Sequence, residues 1–254
     1  MPILDLFNLT GKVAIVTGAA RGLGTGLALA MAEAGADVAA VYRTDPGDLQ
    51  AKIEALGRRC AMIQADLSSP SAVPHIIEAT LTALGRIDIL INNAGLIRRA
   101  AVVDFTEKDW DDVIAVNQRA VFFLSQAAAK VMIRQDNGGR IINVASMLSF
   151  QGGIRVGAYT AAKSALLGIT RICANELAAH DITVNAIAPG YMATDQTAPL
   201  RADEKRNTEI LARIPAGRWG SADDLKGAAV FLASAASEYV TGHTLAVDGG
   251  WLSR

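Results

Sequence analysis

Seven short apolar runs, each too brief for a helix, recur along this chain and are separated by longer Ala- and Leu-rich stretches. The runs cover 13–17, 37–42, 60–64, 87–92, 140–145, 182–187 and 244–247. Stretches of helical composition lie between them, at 27–34, 49–56, 72–84, 110–134, 158–179 and 222–232. A strand without polar alternation is buried on both faces, and strands joined through helices pair in parallel. Right-handed crossovers then wind the chain in both directions from its first strand. The expectation is an α/β fold, a doubly wound parallel sheet of about seven strands with helices on both faces.

Composition closes off other classes. Hydrophobic residues make up 51% of the 254 and charged residues 19%, enough apolar surface for a large core and incompatible with disorder. No linker or repeat divides the chain, so residues 1–254 read as a single domain. Twenty-four basic side chains against 25 acidic ones give a net charge of -1, which offers nothing to nucleic acid or an anionic membrane. No apolar run approaches the roughly 18 residues of a membrane span. Residues 1–9 lack a basic start followed by an apolar run, and two cysteines cannot make a disulfide framework, so a cytoplasmic setting is expected. His75, His180 and His243 are scattered without ligand spacing, and no metal site is expected. Segment 190–220 breaks the strand–helix alternation. Its charged middle, 201–206, reads as a solvated helix, and its place beyond a strand's carboxyl end makes it a lid candidate.

The first run continues into Thr17-Gly18-Ala19-Ala20-Arg21-Gly22-Leu23-Gly24. Glycines between a strand and a helix let backbone N–H groups approach a pyrophosphate at the positive helix end, although a tight turn uses glycine too. The second run ends at Tyr42-Arg43-Thr44-Asp45, where Arg43 suits the 2′-phosphate of NADP and a carboxylate would suit the ribose of NAD. Arg21 adds a second positive charge. The third run ends at Asp66-Leu67, where Asp66 either accepts from an adenine amino group or closes an Asx-turn. The fourth ends at Asn92-Asn93-Ala94-Gly95. Ser146 follows the fifth run, and Tyr159 and Lys163 are one helical turn apart on the next helix. A phenol titrates near 10, too high for a base at neutral pH, and a nearby ammonium favours its ionised form. Asn117 is a candidate for keeping a proton path open.

Taken in order, T-G-x-x-x-G-x-G, N-N-A-G, Asn117, Ser146, Y-x-x-x-K and Pro189-Gly190 resemble the short-chain dehydrogenase/reductase family over essentially the whole chain. The resemblance implies a Rossmann fold, a homotetramer and a catalytic set of Asn117, Ser146, Tyr159 and Lys163. It further implies that Lys163 binds the nicotinamide ribose, that Asn93, Ala94 and Gly95 line the cofactor, and that Thr194 meets the carboxamide. NAD or NADP is the implied cofactor, with Arg43 favouring NADP. Segments 6–12, 93–99, 145–156, 188–194 and 213–220 are similar to a branch of that family acting on deoxy sugar acids. The implied reaction passes a hydride between nicotinamide and a secondary alcohol or ketone of such an acid. Reduction of a 3-oxoacyl thioester, and a non-catalytic nucleotide-sensing module, are the alternatives. Gly157 stands where the family pattern has proline. A sugar acid carries a carboxylate, which a guanidinium grips bidentately. Arg155 is the first choice for this, Arg98 and Arg99 the others, with Gln151 and Met192 as further pocket-lining candidates.

Overall fold

The computed structural model describes residues 2–254. Seven strands form one parallel sheet in the order β3-β2-β1-β4-β5-β6-β7. They are β1 (Val13–Thr17), β2 (Asp37–Tyr42), β3 (Cys60–Gln64), β4 (Ile89–Asn92), β5 (Gly139–Val144), β6 (Ile182–Pro189) and β7 (Thr244–Val247). The helices are α1 (Gly22–Glu33), α2 (Leu49–Ala55), α3 (Ala72–Leu84), α4 (Glu107–Ile114), α5 (Ala120–Gln135), α6 (Gly157–Leu177), α7 (Ala198–Ala202), α8 (Glu204–Arg213) and α9 (Asp223–Ala233).

Neighbouring strand residues point to opposite faces, so an all-apolar strand feeds two cores at once. Ala14 and Val16 of β1 join Leu27 and Met31 of α1 and Leu225 and Leu232 of α9 on one side. Val13 and Ile15 join Ile76 of α3 and Leu124 and Met132 of α5 on the other. All five residues of β1 are buried, and each large side chain sealed this way contributes about 1.5–3 kcal/mol.

The order in which successive strands are added reverses between β1 and β4, and at such a switch point the loops after the two strands part to leave a crevice. One polar clasp sets its width. The Thr17 hydroxyl accepts from the backbone N–H groups of Asn93 and Ala94, both at 3.0 Å, and the Asn93 amide donates to Thr17 O at 2.9 Å. Behind it runs a buried ladder in which Asn92 donates to Ser125 and to Asn143, and Asn143 donates to Thr170.

Two elements differ from the sequence reading. The helix expected over 110–134 is divided into α4 and α5 by a π-turn at Ala115–Arg119. Segment 190–220 holds not one solvated helix but α7 and α8. Ile210 of α8 is buried with Met147, Ile214 and Trp251, so this segment has a small core of its own. At the other end, residues 3–7 form a 3-10 turn, and Met1 lies outside the described residues.

Candidate active site

A cleft of about 520 Å³ opens at the carboxyl ends of the strands. Gly18, Arg21, Gly22, Leu23 and Gly24 line it beside Arg43, Asp66 and Leu67, with Asn93, Ala94 and Gly95 opposite. Ser146, Tyr159, Lys163, Pro189, Gly190 and Thr194 complete the wall. Residues spread over the sequence from 18 to 194 are thus gathered round one space.

The glycine loop fits a pyrophosphate on two counts. Gly18 has φ +67°, and a Cβ there would lie 2.9 Å from Ala94 Cα, so only glycine allows the loop to pass this close to the β4 loop. At the start of α1 no side chain caps the first turn and no acidic residue lies in it. Its free N–H groups, with the positive end of the helix dipole, face the cleft and suit an anion.

At the adenosine end, Arg43 is exposed and lines the cleft. Asp45 instead accepts from Gly47 N and closes a turn. Asp66 uses one carboxylate oxygen for the Asx-turn, accepting from Ser68 N at 2.9 Å and Ser68 Oγ at 2.8 Å. These bonds, and then the Arg43 charge, hold its carboxyl below the usual range. The Asx-turn is thus formed through one oxygen, and the second makes no hydrogen bond to another described residue.

Around the reacting end, Ser146 caps a short turn by accepting from Leu148 N at 3.1 Å, and this fixes its hydroxyl at the lip of β5. Burial pushes the Tyr159 phenol above its ordinary pKa, while the Ser146 hydroxyl and then the Arg99 guanidinium pull it down. Lys163 is not among these causes. Its Nζ lies 5.7 Å from the Tyr159 ring centroid and donates to Val144 O. Desolvation brings the lysine itself down to about 8. The phenol as a whole stays above its ordinary range, and the Ser146 hydroxyl and the Arg99 guanidinium are the groups that favour its ionised form.

Asn117 is fully buried in the π-turn, outside the cleft lining. Its amide accepts from Leu96 N at 2.7 Å and donates to Leu96 O at 2.9 Å. Both ends are therefore engaged in holding the loop after Gly95. A π-turn shifts the register of backbone carbonyls, and such insertions concentrate at functional sites.

The substrate-side expectations divide. Met192 and Arg98 line the cleft. Arg98 is bound to Asp109 at 3.2 Å and Asp112 at 3.4 Å, so its charge is already matched. Arg155 stands outside the cleft, exposed, with a left-handed φ of +63°. Its backbone carbonyl is engaged by Ala100 N. Gln151 also lies off the cleft wall and accepts from Arg213 at 3.2 Å. Arg99 spans from the β4 loop to Gln196 O at 3.2 Å. Thr17 enters the sequence reading only as the first residue of the glycine motif, and its hydroxyl's hold on the β4 loop comes from the structure. Sequence reasoning missed Gln196 and Thr197, which only the folding of segment 190–220 brings to the cleft.

Comparison with known proteins bears on this site. A family model described as enoyl-(acyl carrier protein) reductase matches residues 18–252. The 2-dehydro-3-deoxy-D-gluconate 5-dehydrogenase of Escherichia coli K12 is 58% identical over 99% of this chain and 100% of its own length. A solved structure from Agrobacterium tumefaciens with bound NADP superposes with a TM-score of 0.93 at 50% identity, covering 98% of this chain and 100% of the other. A gluconate 5-dehydrogenase from Burkholderia cenocepacia J2315, in complex with NADP and tartrate, has a TM-score of 0.94 at 38% identity over 99% of each chain. The protein belongs to the short-chain dehydrogenase/reductase family.

Proposed function

We propose that this protein is an NADP-preferring dehydrogenase that interconverts a secondary alcohol and a ketone on a deoxy keto sugar acid of the 2-dehydro-3-deoxy-D-gluconate type. The observation that carries the reading is that Ser146, Tyr159 and Lys163 share one cleft with the glycine loop. The 58% identical relative of that name supports the substrate class.

When bound, a nicotinamide dinucleotide supplies hydride donation and acceptance. The first turn of α1 holds its pyrophosphate, Asp66 and Leu67 flank the adenine, and Arg43 with Arg21 meets a 2′-phosphate. Lys163 and the 93–95 loop hold the nicotinamide end, with Thr194 across from them. Tyr159 gives its proton to the substrate oxygen on reduction and takes it back on oxidation. Ser146 donates to that same oxygen and keeps it beside the phenol. Burial keeps the phenol protonated at neutral pH, so its proton is in place for reduction, and the Ser146 hydroxyl and Arg99 guanidinium favour the phenolate that takes the proton back on oxidation. Asn117 positions the 95–96 loop that backs the reacting end. Residues 190–220 act as the lid, fastened across the cleft where Arg99 and Gln196 meet.

The chain's partners are inferred to be its own copies, in a homotetramer. Phe122 and Phe123 of α5 and Ile172 of α6 leave large apolar side chains exposed, which suits contact with a second copy. Among the described residues no helix is long and apolar enough to cross a membrane. The two free cysteines, Cys60 and Cys173, suit the reducing cytoplasm.

The test is turnover of purified protein with NADPH or NADH, offered the 5-keto derivative of 2-dehydro-3-deoxy-D-gluconate or an acetoacetyl thioester. Turnover with the sugar acid, lost about 10²–10⁴-fold in Tyr159→Phe with NADPH affinity retained, supports the reading. Preference for the thioester would replace it with acyl reduction. Nucleotide binding with no turnover of either would point to a sensing module.

A further inference from the structure

Ser149 carries a buried hydroxyl that lines no part of the cleft, yet it bonds directly to two residues that do. Its backbone N–H donates to Ser146 O at 2.9 Å, and its Oγ donates to Lys163 O at 2.6 Å. The stretch between the two serines is tight. Met147–Ser149 form a single 3-10 turn, and the Ser146 hydroxyl at its start accepts from Leu148 N at 3.1 Å. One serine thus caps the turn, and the other fastens its end to α6.

Lys163 holds the segment 144–149 at both ends. Its Nζ donates to Val144 O and its backbone carbonyl accepts from Ser149, with Ser146 between the two points. Tyr159 stands one helical turn before Lys163, so a frame that fixes Ser146 against Lys163 fixes it against the phenol as well. The two ties differ in kind. An ammonium on a flexible stem can exchange acceptors, whereas the Ser149 bond ends on main chain inside α6 and cannot drift. That carbonyl already serves the helix, and Ser149 takes up its second lone pair. Helix α6 does not need this bond to form, and its effect is to join the turn to the helix. On its other side the turn is held by packing, with Met147 buried among Ile210, Ile214 and Trp251. Apolar contact is non-directional and lets the turn slide, while a short hydrogen bond fixes distance and angle. Ser164 adds a longer contact, its Oγ reaching Leu148 O at 3.5 Å from an exposed position.

We propose that Ser149 is a positioning residue for the reaction. By tying the Met147–Ser149 turn to the Lys163 backbone, it sets the Ser146 hydroxyl where it and the Tyr159 phenol reach one substrate oxygen. The proposal rests on the roles given to Ser146 and Tyr159 above and adds the residue that keeps them in register. The Ser146 hydroxyl is one of the groups that favour the ionised phenol, as that closeness requires.

The experiment is a double-mutant cycle on wild type, Ser149→Ala, Ser146→Ala and the double variant, all saturated with NADPH. Each is given whichever substrate the wild type turns over, the keto sugar acid or the acetoacetyl thioester. Ser146→Ala removes a donor to the oxygen that gains charge, and should lower kcat by about 10²–10³-fold. Ser149→Ala should lower kcat by about 10–100-fold, because a misplacement of roughly 1 Å is enough for that, with Kd for NADPH unchanged. A residue that acts through Ser146 has nothing left to position once that hydroxyl is gone. In the Ser146→Ala background, Ser149→Ala should therefore cost roughly twofold or less. Ser149→Thr keeps the hydroxyl and should recover most of the rate. Should Ser149→Ala fail to fold, Ser149→Cys, similar in size but a weak donor, should show the same loss only where Ser146 is present. Equal losses in both backgrounds, or none in either, would overturn the positioning role while leaving the sugar-acid reading intact. A Ser146→Ala enzyme as fast as wild type, or a wild type that turns over neither substrate, would overturn both.

Discussion

The Tyr159–Lys163 pair shows how burial and charge act on single residues. Desolvation raises the phenol and lowers the amine to about 8, so each is held towards its neutral form. The lysine has a consequence for stability. Below about pH 8 the fold carries a buried ammonium, while the unfolded chain keeps an ordinary lysine. Between about 8 and 10.5 the folded state binds fewer protons than the unfolded one, so stability rises with pH across that window. Lys163→Met should therefore be more stable than wild type by about 1–3 kcal/mol at pH 7, inactive, and no longer separated from it near pH 10.5. Denaturant midpoints of the nucleotide-free protein against pH would test this. A constant gap would show that the amine is not the cause. At the other end of the cleft, Arg43→Ala should weaken NADPH by about 10–100-fold and NADH by less than threefold, measured by fluorescence titration. Equal losses would remove Arg43 from 2′-phosphate recognition.

Among the elements, α1 and α6 respond oppositely to an added methyl group. In α1, a Cβ on Gly24 would run into Gly18 O and crowd Asn93 Nδ2 at 2.7 Å. Gly24→Ala should force the glycine loop away from β4 and weaken NADPH at least tenfold while the sheet remains folded, which circular dichroism would check. In α6, Gly157 opens the helix with nothing within 4 Å of its missing Cβ and no positive φ. Gly157→Ala should stabilise the protein by about 0.4–1 kcal/mol by narrowing the unfolded ensemble. A lower melting temperature would mean that the turn before Tyr159 needs glycine's freedom. The strand and helix pattern was legible because every strand is short, apolar and bounded by turn residues. The division of 110–134 was not, since its composition stays helical throughout. Within the π-turn the Asn117 amide is bonded to the distant Leu96 backbone, a tertiary contact that no local composition encodes.

At the level of the whole molecule, two surfaces are left incomplete by a single chain. The first is the apolar face of α5, where Phe122 and Phe123 meet edge-on at 5.4 Å and Arg119 lies 5.0 Å over the Phe123 ring. If the homotetramer proposed above is built on this face, Phe123→Glu should give a smaller species than wild type in light scattering, with little change in the NADPH affinity of the single subunit. An unchanged mass would place the contact elsewhere. The second is the cleft itself. Saturating NADPH should raise the melting temperature, because a ligand at 100 times its Kd adds about 2.7 kcal/mol to the folded state. That shift should be largely lost in Gly24→Ala.

The amino-acid sequence by itself determined the sheet, its parallel sense and the order of the motifs round the nucleotide crevice. Each of these follows from local apolar runs, from glycine where the backbone must turn or approach closely, and from one helical turn between Tyr159 and Lys163. Tertiary structure decided which charges are free to act. Arg155 has the sequence position of a substrate ligand and is left outside the cleft, and Arg98 has its charge matched by two aspartates. Arg213 is stacked on an indole 38 residues further along the chain. Whether a guanidinium is neutralised, exposed or stacked depends on neighbours brought in from other elements, and no local pattern encodes that.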